Sequence, residues 1–323
     1  MSFLRPLVGY AKFLYFSNNN GGIMQLALDT KEPIVSADTN TTLGVQPYKT
    51  QLLKWIGNKQ RFAHEIISFF PERFGTYHEP FLGSGAVLGV LSPNKAEAAD
   101  SFSPLIRIWQ TLKRDPETVK NWYRERWLEA QEGEKVAQYE KIKARYNQGA
   151  NAADFLFLTR TAYGGVMRFR KADGYMSTPC GAHKPIHFGT FGRRVDEWVE
   201  RVRGTEFFHR EYAESLERAG DGDVVYCDPP YSHSQAILYG AQGFDQADLF
   251  RCIEKAKARG VFVALSLDAT KKSGDTDCAY DYPATLFERE VPVNCGRSML
   301  KRFQMGGQTL EGEIVTDRLL LTH

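Results

Sequence analysis

The tetrapeptide Asp228-Pro229-Pro230-Tyr231 carries the most chemistry per residue in this chain of 323. Its prolines fix φ and remove two backbone N–H donors, so the segment presents a carboxylate and carbonyl oxygens, which are acceptors only. A tyrosine ring stands beside them. A planar heteroaromatic base with an exocyclic amino group suits this set: its two protons go to the acceptors and its face to the ring. Hydrogen bonds of that kind polarise an amino nitrogen for attack on an electrophile. The tetrapeptide follows Val224-Val225-Tyr226-Cys227, a short apolar run that predicts a buried strand of a parallel sheet with Cys227 pointing into the core.

Two other constellations could serve the same chemistry. Glu79-Pro80-Phe81-Leu82-Gly83-Ser84-Gly85 lies where a strand should turn into a helix. Glycines there let the backbone approach a ligand and expose N–H groups at the helix start. Asp100 closes the next predicted strand, where sheets of this kind place a carboxylate on ribose hydroxyls. A dinucleotide fingerprint would need glycine at Leu88, which disfavours NAD and FAD. Taken alone, a tight strand–helix turn with Asp100 as a helix cap explains these residues equally well. Upstream, Lys54-Trp55-Ile56-Gly57-Asn58-Lys59 could hold a carboxylate and cover an apolar ligand, or be a solvated turn with a packing tryptophan.

A basic segment spans 160–194: Arg160, Arg168, Arg170, Lys171, Lys184, Arg193 and Arg194 against Asp173 alone give a local charge of 7 − 1 = +6. Tyr163, Phe169, Tyr175 and Phe188 are interleaved. Positive charge with aromatics on an irregular segment suits DNA, with phosphate contacts giving affinity and a few side chains reaching base edges. A solvated loop is the plainer alternative. The 105–146 region carries ten basic and seven acidic residues, a balanced face, so the positive field is local.

Around these segments the pattern alternates. Helices are expected over 63–70, 86–91, 105–146, 153–161 and 246–259. Strands are expected over 76–80, 96–99, 206–210, 224–227 and 261–267, with an antiparallel pair over 286–293 and 312–321. Trp109, Trp122, Tyr123, Trp127 and Tyr139 are the expected packing anchors, and 163–192 is expected to be irregular. This alternation argues for an α/β fold with a doubly wound, mainly parallel sheet and a non-sheet insertion. Residues 1–46 lack periodicity and are set aside as an extension.

The formal charge of +2 neither requires nor excludes a polyanionic partner. Five scattered cysteines with no C-x-x-C pair argue for a reducing compartment and against a disulfide framework or zinc site. His183 and His187 lack supporting ligands, so no metal is expected. The apolar stretch from Phe3 to Phe16 is broken by Arg5 and Lys12 and is too short to span a bilayer, which makes a cytoplasmic protein the default.

In order, the Lys54–Lys59 segment, Glu79–Gly85, the basic insert with Tyr163-Gly164-Gly165-Val166-Met167-Arg168-Phe169-Arg170, Tyr212-Ala213-Glu214-Ser215 and Asp228–Tyr231 resemble the Dam-like (class alpha) DNA adenine-N6 methyltransferases over about residues 50–321. The resemblance implies a Rossmann-like core in 47–100 and 206–323, with a target-recognition insert in 101–205. It implies S-adenosylmethionine bound by Trp55, Lys59, Phe81, Gly83, Gly85, Asp100 and Asp228, with Lys59 near the methionine carboxylate and Asp100 on the ribose. Asp228, Pro229, Pro230 and Tyr231 would hold a flipped adenine of double-stranded DNA. Arg160, Tyr163, Arg168, Arg170, Lys171, Pro179 and Lys184 would meet the DNA.

The chain departs from the family pattern where Ile56-Gly57-Asn58 replaces Ala-Gly-Gly and Gly164-Gly165 replaces Asn-Gly, and where Arg170 replaces a neutral residue. The target implied by the resemblance is a four-base palindrome such as GATC. A monomer or weak dimer is expected, and a separately acting restriction endonuclease is a candidate partner. Rival readings are methylation of cytosine N4, an RNA base or a protein amide, a catalytically silent DNA-binding relative, and, more distantly, an oxidoreductase.

Overall fold

The computed structural model describes residues 39–230, 244–268, 282–294 and 316–323, and the backbone of two strands nearer the N-terminus. Those strands, β1 (Leu14–Ser17) and β2 (Ile23–Leu26), form an antiparallel hairpin within a unit of residues 1–37, with Leu14 opposite Leu26. The second unit, residues 38–323, opens on β3 (Asn40–Thr41), paired antiparallel with β4 (Arg73–Phe74).

A seven-stranded sheet dominates this second unit. Its members are β5 (Tyr77–Glu79), β6 (Ala96–Asp100), β7 (Thr205–His209), β8 (Val224–Cys227), β9 (Phe262–Asp268), β10 (Arg289–Asn294) and β11 (Thr316–Leu321). They lie in the order β10-β11-β9-β8-β5-β6-β7. The pairs β5–β6, β6–β7, β5–β8 and β8–β9 are parallel, while β11 runs antiparallel to both β9 and β10. The chain therefore winds outward from β5 to β7, then returns to the other side of β5 as β8. Strand order reverses between β5 and β8, and a sheet of this type opens a crevice at such a point, beyond the carboxyl ends of the strands.

The two faces of the sheet are read off the period of two along its strands. Val224 and Tyr226 pack into one core with Phe262, Ala264, Leu319 and Leu321, while Val225 and Cys227 pack into the other with Val263, Leu265 and Leu320. The first core takes in α1 (Ala63–Ile67), α2 (Ala86–Leu91) and α3 (Ser103–Arg114) through Ile66, Leu88 and Trp109. Helices on both faces explain why the central strands read as continuous apolar runs.

Between β6 and β7, α3 leads into α4 (Pro116–Glu129), α5 (Lys135–Gln148), α6 (Ala152–Thr161) and α7 (Phe188–Arg201). Pro116 opens α4 behind Asp115, whose side chain accepts the Thr118 N–H, and Asn151 caps α6 through the Asp154 N–H. Every residue of α6 is buried, so the other helices of the insert close round it. Trp109, Tyr123 and Tyr139 are buried and Trp122 and Trp127 partly so, in the anchor positions expected of them.

Residues 162–187 join α6 to α7 through a tight turn at Tyr163–Gly165 and two antiparallel bridges, Ala162 with Cys180 and Phe169 with Met176. The irregular stretch ends earlier than the glycine content indicated. α7 starts at Phe188, where His187 Nδ1 accepts the Gly189 N–H, and its amphipathic face buries Phe191, Val195 and Trp198. Not anticipated from the sequence were the short β1–β2 and β3–β4 pairs, α8 (Tyr212–Arg218), and the start of β10 at Arg289 rather than Leu286. The second core packs α8 and α9 (Gln246–Ala258) against the sheet through Leu216, Leu249 and Ile253. No described helix is long and apolar enough to cross a membrane.

Candidate active site

A cleft of about 420 Å³ opens at the strand-order reversal. The loops after β5 and β8 form its floor, and the segment 55–59 forms one wall. Trp55, Lys59, Phe81, Gly83, Asp100, Asp228, Pro229 and Pro230 all line it. Residues separated by more than 170 positions in sequence thus share one space. Gly85 stands behind the lining: it caps α2 at φ 62°, and a Cβ there would meet Trp109 at 3.2 Å. Tyr231 lies outside the described residues.

Gly83 is the hub of the wall. Its φ of 48° is left-handed, and a Cβ would meet Trp55 Nε1 at 3.0 Å, so a side chain there would displace the indole or strain the turn. Its N–H donates to Asp100 Oδ2 at 3.1 Å, and its carbonyl accepts from Trp109 Nε1 at 3.2 Å. Asn58 Nδ2 donates to Ser84 Oγ at 2.8 Å, tying segment 55–59 to the glycine turn. Asp100 also accepts the Phe102 N–H on Oδ1 at 3.0 Å. It therefore ties the Gly83 turn to the loop after β6 while lining the cleft. Burial pushes its carboxyl up to about 6, against the pull of the two N–H groups.

At the Asp228 end, Lys59 Nζ lies 2.9 Å from Asp228 Oδ1 and 3.4 Å from Asp317 Oδ2, and donates to the Gly57 carbonyl at 3.2 Å. Lys59 is 3% exposed, so its charge is balanced by carboxylates and a carbonyl. Asp317, on β11, was not foreseen. Nothing in its local sequence distinguishes it from any polar strand residue, and only the antiparallel return of β11 beside β9 brings it here. Glu79 is equally buried. Its Oε2 accepts from Tyr77 Oη at 2.7 Å and from the Leu88 N–H at 3.0 Å, and burial is the main cause that raises its carboxyl to about 8. Tyr226 Oη bonds Ser266 Oγ at 2.9 Å on the same side.

The far end of the cleft is aromatic. Phe81 stacks on Tyr212 with centroids 5.3 Å apart at 22°, and Phe244 stands edge-on to both. Tyr212 Oη donates to Asp248 Oδ2 at 2.8 Å, which fixes the ring. Glu211 completes the lining. Neither Tyr212 nor Phe244 was singled out as a site residue, although Tyr212 fell in a segment quoted for the resemblance. The pattern of a polar, carboxylate-rich end and an aromatic end fits a ligand with a cationic portion and a planar one. Among the described residues, no group of three His, Cys, Asp or Glu side chains converges as a metal site.

The basic segment divides. Tyr163, Arg168, Arg170, Lys171, Pro179 and Lys184 are exposed. Arg160 is not: it is 5% exposed, and its Nη1 donates to the carbonyls of Gln51 and Leu52 at 3.2 and 2.7 Å. Its place on the wholly buried α6 explains this, and its charge is committed to the fold rather than offered at the surface. Arg170 makes a forked pair with Asp173 at 3.1 and 2.6 Å and lies 4.3 Å over the Tyr175 ring, which stiffens the tip of the two-bridge ladder formed by residues 162–180. A Cβ on Gly165, which also has a positive φ of 69°, would meet the Lys54 main chain at 3.2 Å, so the insert abuts the segment that carries Trp55.

Residues 55–285 match the family model described as D12 class N6 adenine-specific DNA methyltransferase. The chain is 30% identical over 230 residues to the DNA adenine methylase of Vibrio cholerae, an overlap covering 66% of this chain and 79% of that protein. It is 28% identical to the type II methyltransferase M1.LlaDCHI of Lactococcus lactis subsp. cremoris, with the same coverage. The retron Ec67 DNA adenine methylase of Escherichia coli is also 28% identical, across 76% of this chain and 87% of the relative.

Proposed function

The chain belongs to the D12 class N6 adenine-specific DNA methyltransferase family, and from that premise we propose that it moves a methyl group from S-adenosylmethionine to the N6 amino group of an adenine turned out of double-stranded DNA. The observation that carries this reading is the convergence, in one cleft, of Asp228, the Gly83 turn, Asp100 and the Phe81–Tyr212–Phe244 cage. The donor set fits the cofactor. Aromatic faces suit its adenine, Asp100 its ribose hydroxyls, and the excess of carboxylate over ammonium its positive charge. When bound, S-adenosylmethionine supplies an electrophilic methyl on a sulfonium.

Asp228 and the carbonyls beside Pro229 and Pro230 accept the adenine amino protons, which favours a pyramidal nitrogen with an available lone pair in the transition state. Tyr231 is assigned the stacking face for the extruded base. Lys59 sets the orientation of Asp228. The contact to a methionine carboxylate, implied by resemblance, would require one of its donors to turn from Asp228, Asp317 or Gly57. The insert, residues 101–205, is the target-recognition region, with Tyr163, Arg168, Lys171, Pro179 and Lys184 on its outer face. A cytoplasmic location and a separately acting endonuclease partner belong to the same reading, and GATC is the target the insert's resemblance favours.

Transfer of labelled methyl from S-adenosylmethionine tests the reading with duplex DNA, RNA and protein offered in parallel. Label in N6-methyladenine of duplex DNA alone is expected; label only in N4-methylcytosine, RNA or protein would overturn it. Mapping methyladenine in DNA from expressing cells gives the target sequence.

A further inference from the structure

Side chains four residues apart on α5 grip the return arm of the exposed ladder by its main chain. Lys135 Nζ donates to the carbonyls of Gly181 and Ala182 at 2.8 and 2.9 Å. Tyr139 Oη donates to the Thr178 carbonyl at 2.9 Å, which Lys143 Nζ also reaches at 3.4 Å while bonding Glu140 at 2.8 Å. Asn147 exchanges two bonds with Met176: Nδ2 donates to its carbonyl at 3.2 Å and Oδ1 accepts its N–H at 2.7 Å. Positions 135, 139, 143 and 147 fall on one helix face. At its end, Asn147 stands where the backbone of a neighbouring strand would stand, making the same two-bond exchange.

The other edge of the arm is held within the ladder. The Ser177 N–H donates to the Arg168 carbonyl at 2.9 Å, and Thr178 Oγ1 accepts the Arg168 N–H at 3.0 Å while donating to the Val166 carbonyl at 2.8 Å. Side chains alternate as a result. Met176 and Thr178 are buried, whereas Ser177 and Pro179 are exposed beside Arg168. A slip of one residue would exchange the two sets.

We propose that Asn147 and Tyr139 are positioning residues for target discrimination, locking the register of residues 176–182 so that Arg168, Ser177 and Pro179 meet base edges in a single setting. This rests on the reading of the insert as the surface that recognises DNA. Neither residue has to touch DNA. Loss of the lock blurs the match between side chains and base edges, on which sequence discrimination depends, and leaves the donor cleft as it is.

The test uses the full chain and duplexes carrying the site mapped for the wild type, or that site with one base pair changed. The Asn147→Leu and Tyr139→Phe variants are each expected to lower the target to near-target ratio of kcat/KM by roughly tenfold, with most of the change in KM. Their affinity for S-adenosylmethionine and kcat at saturating target DNA should stay within about threefold of wild type. Asn147→Asp keeps the acceptor for the Met176 N–H and should fall between. Thermal melting reports whether each variant folds, and Tyr139→Phe carries the test if Asn147→Leu does not. Folded variants that discriminate like the wild type overturn the inference. A wild type that methylates no DNA overturns the underlying reading instead, so the two failures are distinct.

Discussion

The cleft at the strand-order reversal and the exposed ladder of the insert are held by different means. In the cleft, the lining side chains bond to one another, to neighbouring carboxylates and to loop backbone: Lys59 to Asp228 and Asp317, Asp100 to two loop N–H groups, and Tyr212 to Asp248. In the ladder the main chain is what is held, by Asn147, Tyr139 and Lys135, while Arg168, Pro179 and Lys184 face water. A substitution in the cleft therefore disturbs partners as well as the residue itself. A substitution on the outer face of the ladder changes one contact with an outside molecule and little else. On the proposed reading, chemistry is built where change is costly, and recognition where change is cheap.

The sharpest way to break this contrast is Asp228→Ala. Methyl transfer should fall by about a thousandfold or more, the scale of losing a group that stabilises developing charge, with DNA and S-adenosylmethionine binding largely kept. Labelled-methyl transfer beside two binding titrations measures it, and wild-type activity in the variant would remove Asp228 from its role. Next in size is Lys59→Met, which leaves Asp228 and Asp317 without their shared ammonium. A drop in kcat of about a hundredfold, together with a lower melting temperature, is expected for breaking so buried a pair. A loss seen only in KM for S-adenosylmethionine would return Lys59 to carboxylate binding.

On the ladder side the effects should be smaller. Lys184→Ala should weaken DNA binding evenly across sequences and reduce the slope of log K against log salt by about one, as for loss of one phosphate contact. An unchanged slope would take Lys184 off the interface.

The smallest effect concerns pH. The Glu79 carboxyl lies at about 8 in the fold against 4.5 ordinarily, so folding takes up a proton between those values. Its contribution to stability is whole below about 4.5 and is lost as pH rises through about 8. Asp100, at about 6 against 3.8, adds the same trend over a lower window. Glu79→Gln keeps acceptors for Tyr77 and Leu88 without the ionisation. Its melting temperature relative to wild type should rise steadily from pH 5 to pH 8, and a gap that does not change with pH would contradict the shift.

What could be read from the sequence follows the same division. Strand β8, helix α2 and the strand ending at Asp100 were legible because apolar runs, a glycine turn and a terminal carboxylate are local signals. Arg160 was misplaced because charge alone does not report burial; the clue was the apolar run Phe155–Leu158 one turn before it on the same helix. Asp317 was invisible because its importance arises from the pairing of β11 with β9, some fifty residues away in sequence. The α5 row escaped notice because its partners on residues 176–182 are main-chain groups, which no sequence pattern marks.

The position of β8 in the sheet has a consequence for how the molecule comes into being. It pairs with β5 across 147 residues, Tyr77 with Val224, and lies between β5 and β9. Contacts so distant in sequence close late, after the more local helices of the insert can form. On the ribosome, β5, β6 and the insert emerge first, leaving the inner edge of β5 without its neighbour until the second half arrives. The loop after β8 then forms along with the centre of the sheet, and Lys59 acquires its second carboxylate only when β11 is added. An emerging chain can thus shape the insert before Lys59 gains both carboxylates, and on the proposed reading the chemistry is armed only once β8 and β11 have joined the sheet.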